Sequence, residues 1–225
     1  MPGSICWVDL GTPEPAAAAT FYAGLLGWSF TEPERTGYRV AMLRGLPVAG
    51  LGPATDSGDP YWTVNVSTAD IHETLQAVEA SGGTVLEPPT QAGDQGIGAV
   101  TRSPSGLPLS FWQPLVRHGM QLAQEPGAFQ GLSLRTPEPE DEVRYLNAVL
   151  GWRAQAGGSI RSADASVAVT TTSYGPGQWM VHFAVQDRAV SMRLASDLGA
   201  TTTADGDVRD PHGAVFGLDE TSPPD

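Results

Sequence analysis

Residues 12–28, TPEPAAAATFYAGLLGW, return in worn form at 136–152 as TPEPEDEVRYLNAVLGW. In the first copy Phe21, Leu25 and Trp28 recur at helical spacing, Thr12-Pro13-Glu14-Pro15 marks a start and Gly27 a stop, so the phrase predicts an amphipathic helix. Before it, ICWVDL (5–10) places Val8 and Leu10 on one face and Trp7 and Asp9 on the other, the period of a strand. After it come WSFTEP, YRVAMLR and PVAGLG, separated by Gly37 and by Gly45 with Pro47, which gives the order βαβββ. The order restarts with YWTVNVSTAD, the helix DIHETLQAVEASGG, and the strands TVLEPP, GAVTRSP and LPLSFWQP.

The same order recurs in the second half. Matching residues run from Thr12 with Thr136, through Trp62 with Trp179, to Pro104 with Pro211, and their separation shrinks stepwise. The second copy has lost loop residues and kept its elements, so the chain holds four βαβββ modules in two homologous domains. The expected boundaries are 1–116 and 128–225, with 117–127 as linker, because Pro114 to Gly127 has little periodicity and carries His118-Gly119 and Pro126-Gly127. The two domains are expected to pack against each other.

A length of 225 residues suits two domains of ordinary size. No apolar run approaches the roughly 20 residues of a membrane span, and MPGSICW lacks the basic and apolar regions of a secretion signal. The expectation is a cytoplasmic protein, monomer or homodimer, without a membrane partner. Cys6 alone excludes an intrachain disulfide and a cysteine zinc cage. The net charge of -13, from 25 acids against 12 basic residues that are all Arg, argues against nucleic acid.

CWVDL before FYAGLLGW, GYRV, PVAG, YWTVNVSTAD before a helix ending in SGG, and SPSGLPLSFWQP stand in an order that resembles the vicinal oxygen chelate superfamily of glyoxalase, bleomycin-resistance and extradiol dioxygenase proteins, in its tandem two-domain branch. The resemblance covers nearly the whole chain. It implies an α+β fold in which each pair of modules curls a mixed sheet into a cup, with helices outside and a metal or ligand within.

Metal-dependent members of that family place His, Gln or Glu on the first strand of each module and Glu on the last. Carried across, those positions fall on Trp7, Thr63 and Ser110 in the first domain and on Gly131, Met180 and Gly217 in the second. Indole, hydroxyl, thioether and a missing side chain make no ligand set for a divalent ion. The expectation is no metal and no cofactor.

Of the four histidines, His182 in WMVHFAVQD faces the predicted cup with Met180, opposite Val181, Phe183 and Val185, and matches Asn65 of the first domain. It is either a hydrogen-bonded structural residue or a general base. His72 follows a helix start, His118 lies in the linker and His212 lies in the turn DPHG. Asp9 shares the cup face with Trp7, where a carboxylate needs a partner: it is a base or ligand anchor, or it bonds to backbone or Asn65. Trp7 and Trp112 are read as walls for a flat ligand or as core, and Trp28, Trp62, Trp152 and Trp179 as packing residues.

These assignments make Asp9 and His182 the catalytic candidates. Trp7, Asn65, Thr63, Ser110, Trp112, Ser133, Arg135 and Met180 are the ligand-binding candidates, with Ser133 or Arg135 able to fix an oxygen. Two functions follow: a metal-independent lyase, isomerase or cyclase of secondary metabolism working by acid-base chemistry on an aromatic or polyketide-like metabolite, or a bleomycin-resistance-like protein that sequesters such a compound. A metal-dependent lyase or dioxygenase would need ligands these positions do not supply.

Overall fold

The repeated phrase begins and ends a helix in both copies. In the computed structural model, which describes residues 1–54, 58–163, 165–171 and 177–221, α1 (Pro15–Leu26) and α3 (Pro139–Leu150) each open on a proline whose φ is preset for the first helical position. Each closes on a left-handed glycine, Gly27 at φ 73° and Gly151 at φ 68°. The other two helices start differently. Asp70 accepts from the amides of His72 and Glu73 ahead of α2 (Ile71–Ala80), and Asp187 accepts from the amide of Val190 ahead of α4 (Arg188–Asp197).

The first module comprises β1 (Ile5–Thr12), α1, β2 (Ser29–Phe30), β3 (Arg39–Leu43) and β4 (Leu46–Pro53). The second comprises β5 (Tyr61–Ser67), α2, β6 (Thr84–Ala92), β7 (Gly96–Arg102) and β8 (Pro108–Pro114). The third comprises β9 (Phe129–Thr136), α3, β10 (Arg153–Gln155), β11 (Ser159–Arg161) and β12 (Ser166–Thr171). The fourth comprises β13 (Gln178–Val185), α4, β14 (Thr201–Thr202), β15 (Val208–Arg209) and β16 (Val215–Glu220). Two mixed, open sheets result, in the orders β2-β3-β4-β1-β5-β8-β7-β6 and β10-β11-β12-β9-β13-β16-β15-β14. Within every module the first and last strands pair in parallel, and their registers set Asp9 beside Gly50, Asn65 beside Ser110, Ser133 beside Ala168 and His182 beside Gly217.

By packing, the chain forms two compact units that each take a module from either half of the sequence. Unit one is Met1–Cys6, Thr63–Gly119 and Leu132–Trp179, and unit two is Trp7–Trp62, Met120–Gly131 and Met180–Asp225. The boundaries 1–116, 117–127 and 128–225 describe the order of the repeat along the chain, which is a different division.

Unit one packs α2 on α3. Trp152 and Trp179 meet edge to face at 6.3 Å, and their indole N–H groups donate to the carbonyls of Gly3 and Pro108. Unit two packs α1 on α4 around an aromatic cluster. Tyr22 stacks on Trp28 at 5.6 Å and stands edge-on to Trp62 at 5.5 Å, with Phe183 and Phe216 completing the group. The fully buried Tyr22 hydroxyl donates to Asp210 at 3.0 Å, and burial followed by that carboxylate's charge raises its pKa well above the usual phenol value.

The segment between β8 and β9 holds neither helix nor strand. Its later part is tied down within unit two by Gln121 N–H on the Pro47 carbonyl, Gly127 N–H on the Ala184 carbonyl and an Arg44–Glu125 ion pair. Among the described residues no helix is long and apolar enough to cross a membrane.

Candidate functional site

Alternation along β1 turns Trp7 and Asp9 to one face while Val8 and Leu10 are fully buried on the other. On the Trp7 face the side chains close a triangle: the Trp7 indole N–H donates to Asp9 Oδ1 at 2.9 Å, the Tyr38 hydroxyl donates to the same oxygen at 2.7 Å, and the indole also lies 3.1 Å from the Tyr38 oxygen. The register makes this possible. Gly50 sits beside Asp9, and a Cβ there would collide with both Asp9 Oδ1 and the Tyr38 hydroxyl, while one on Gly52 would meet the Tyr38 ring at 3.2 Å. The Tyr38 side chain therefore passes over two residues that have no side chain of their own.

On β5 and β8, Asn65 and Ser110 are buried neighbours in register, and Thr63 is half-buried. The Cys6 thiol is buried and donates to the Asn65 carbonyl at 3.4 Å, so it serves as a packed weak donor. Trp112 lies against β7, where a Cβ on Gly96 would strike its six-membered ring, and its indole N–H donates to the Arg117 carbonyl at 2.8 Å.

In the second half, Ser133 and Arg135 alternate on β9 with the buried Leu132 and Leu134. Met180 is buried at 2% exposure. His182 Nδ1 lies 3.0 Å from Asp219 Oδ2, and its imidazole covers Gly217, where a Cβ would collide with the ring. The Asp219 carboxyl is held below the usual carboxylate range by the hydrogen bond from His182, against the opposing effect of burial, with the charges of His182 and Arg188 assisting. At the repeat position of Trp7 stands Gly131, with nothing within 4 Å of where a Cβ would be.

The structure thus joins Trp7 to Asp9 and gives His182 a partner that alternation alone does not name. Tyr38, Asp219 and the seat Gly50 are additions to the sequence reading, and Gly217, read from sequence as a vacated ligand position, is the seat of the His182 ring. The signal for Tyr38 was the GYRV stretch at the head of β3, whose strand partner β4 carries glycines at 50 and 52. Glu142 is a further addition: the spacing of Glu142, Tyr145 and Leu146 puts it on the buried face of α3. A cleft of about 420 Å³, walled by Ser105, Glu138, Asp141 and Tyr145 among others, lies elsewhere on unit one and includes none of the site residues read from sequence.

The metal implied by the fold family does not fit these residues. Met180 and Ser110 are buried apolar or neutral groups, Trp7 uses its only polar atom within the triangle, and a Glu side chain in place of Gly217 has no room beside His182. Among the described residues no three His, Cys, Asp or Glu side chains converge as a metal site.

Residues 6–112 match the family model of a glyoxalase-like domain. Over 97% of this chain and 94% of the relative, the sequence is 31% identical to the anthracycline biosynthesis protein DauV of Streptomyces sp. strain C5. The chain belongs to the vicinal oxygen chelate superfamily. Solved structures of that superfamily share its fold. The Mn(II)-bound glyoxalase from Novosphingobium aromaticivorans is 20% identical with a TM-score of 0.68, across 98% of this chain and 82% of that one. The 2,2',3-trihydroxybiphenyl 1,2-dioxygenase from Sphingomonas wittichii strain RW1 is 11% identical with a TM-score of 0.64, across 98% and 91%. The superfamily's α+β modules are therefore present here.

Proposed function

We propose that this member of the superfamily handles an aromatic or polyketide-like metabolite of secondary metabolism by metal-independent acid-base chemistry. The observation that carries the reading is the Trp7–Asp9–Tyr38 triangle, in which one carboxylate oxygen accepts from both an indole and a phenol on the face of β1 opposite the buried Val8 and Leu10. The likeness to a protein named for anthracycline biosynthesis supports the substrate class. Within unit two, Asp9 accepts a hydroxyl proton or hydrogen bond, the Trp7 and Tyr38 rings meet the ligand's ring face, and Met180 and His182 are the further contacts proposed; within unit one, taken by itself, the proposed contacts are Asn65, Thr63, Ser110, Trp112, Ser133 and Arg135.

One observation favours binding without turnover. Asp9 Oδ1 already receives two donors, the Trp7 indole and the Tyr38 hydroxyl, so it is held in place as a fixed hydrogen-bonding anchor. Titration with a hydroxyanthraquinone such as alizarin, followed by tryptophan fluorescence, tests the ligand class. Mass spectrometry of the recovered compound separates enzyme from sequestering protein. Saturable binding that weakens at least tenfold in folded Asp9→Asn is expected; unchanged binding in that variant would overturn the assignment of Asp9.

A further inference from the structure

Glu142 is the one carboxyl in α3 with no exposed surface. Its Oε1 accepts from Ser103 Oγ at 2.7 Å and Ser105 Oγ at 2.6 Å, while its buried Oε2 has no hydrogen-bond partner among the described residues. The two serines belong to the turn between β7 and β8. Ser103 ties that turn three times: its amide donates to the Leu107 carbonyl at 2.8 Å, its carbonyl accepts from Gly106 at 3.0 Å, and its hydroxyl accepts from the Leu107 amide at 3.0 Å. A side chain of the third module thereby holds the turn from which β8 of the second module starts.

We propose that Glu142 is a proton-operated latch on the β7–β8 turn, closed when the carboxyl is protonated and loosened when it ionises. The physical basis is the unpartnered oxygen. A neutral carboxyl leaves one uncharged polar oxygen without a partner, whereas a carboxylate leaves buried charge with no cation beside it among the described residues. The charges that act on it are both negative, Glu138 and Asp141 on the same helix. Arg144, the basic residue one turn away, is bonded to Asp141 at 2.5 Å. From the facing turn come the serine hydroxyls, and the backbone at Gly177 closes another side, where a Cβ would lie 3.5 Å from Oε1. Tyr145 on α3 is itself buried, with its phenol pushed up to about 12 chiefly by burial, so it stays neutral through this range. Protons have a short route, since Ser105 both bonds to Glu142 and lines the 420 Å³ cleft.

Burial, against the two serine hydrogen bonds, raises the Glu142 pKa above the ordinary carboxylate value. The sign follows. The folded state holds this proton more tightly than the unfolded chain, so the stabilisation is present below the ordinary carboxylate pKa and is lost as pH rises through the raised folded value.

The test is amide hydrogen exchange of the full-length protein, read at Ser103 and Leu107 as protection factors, which remove the intrinsic pH dependence of exchange, from about pH 4, below the ordinary carboxylate value, to about pH 8. In the wild type the protection is expected to fall as pH rises through the raised carboxyl range. Glu142→Gln keeps the shape and cannot ionise, so its protection should not change with pH. Ser105→Ala removes a hydrogen bond that favours the ionised form and should move the transition to higher pH; it also serves if Glu142→Gln does not fold. Equal pH dependence in wild type and Glu142→Gln, or a Ser105→Ala transition at the same or lower pH, would overturn the proposal.

Discussion

At the scale of single residues, the first module depends on what Gly50 lacks. A methyl group there must displace Asp9 Oδ1 or the Tyr38 hydroxyl, so Gly50→Ala should lower unfolding stability by about 1–3 kcal/mol in denaturant titration. Tyr38→Phe removes the hydrogen bond to Asp9 and should cost about 1–2 kcal/mol. The double variant has lost one of the three atoms that a Gly50 Cβ would strike, the Tyr38 hydroxyl, while Asp9 Oδ1 and Tyr38 Cζ remain, so the pair should be less damaging than the sum, by about 0.5 kcal/mol or more. Strict additivity would show that the phenol does not rest on Gly50. Trp7 and Asp9 were legible from period 2 alone. Their partner was not, because Tyr38 is distant in sequence and its hydroxyl reaches Asp9 only through a register that no single strand encodes.

At the scale of elements, the helices divide by how they begin. α2 is capped by the Asp70 carboxylate, so Asp70→Ala should destabilise by about 1 kcal/mol. Glu14 at the head of α1 makes no side-chain cap, so Glu14→Ala should stay within about 0.5 kcal/mol of wild type in thermal unfolding. Equal losses would show that charge near the helix end, rather than the capping hydrogen bond, sets the difference. The elements were the most readable level. Each βαβββ run appears in the order read from the sequence, since helical and strand periods differ and Gly27 and Gly151 stop their helices by conformation. The ends were less legible: α1 starts at Pro15 and not Thr12, and β2 spans only Ser29–Phe30, because pairing with β3 at Met42 and Ala41 limits it. A buried Glu142 was also hidden, since its polarity disguises a position that helical spacing assigns to the core.

At the scale of the molecule, repeat and packing follow different divisions. Unit two takes Trp7–Trp62 from the first module and Met180–Asp225 from the last, and unit one takes the two middle modules. A chain cut between Gly119 and Met120 should therefore give two fragments that are poorly folded alone and recover native near-ultraviolet circular dichroism when mixed. Two fragments that each unfold cooperatively in isolation would contradict this. The same arrangement bears on synthesis at the ribosome. Unit one has all its residues once Trp179 has emerged, but the aromatic core around Tyr22 and Trp28 still lacks Phe183 and Phe216. The module made first is thus the last to be buried, and its exposed apolar face must be sheltered from chaperone capture or aggregation until translation is nearly complete.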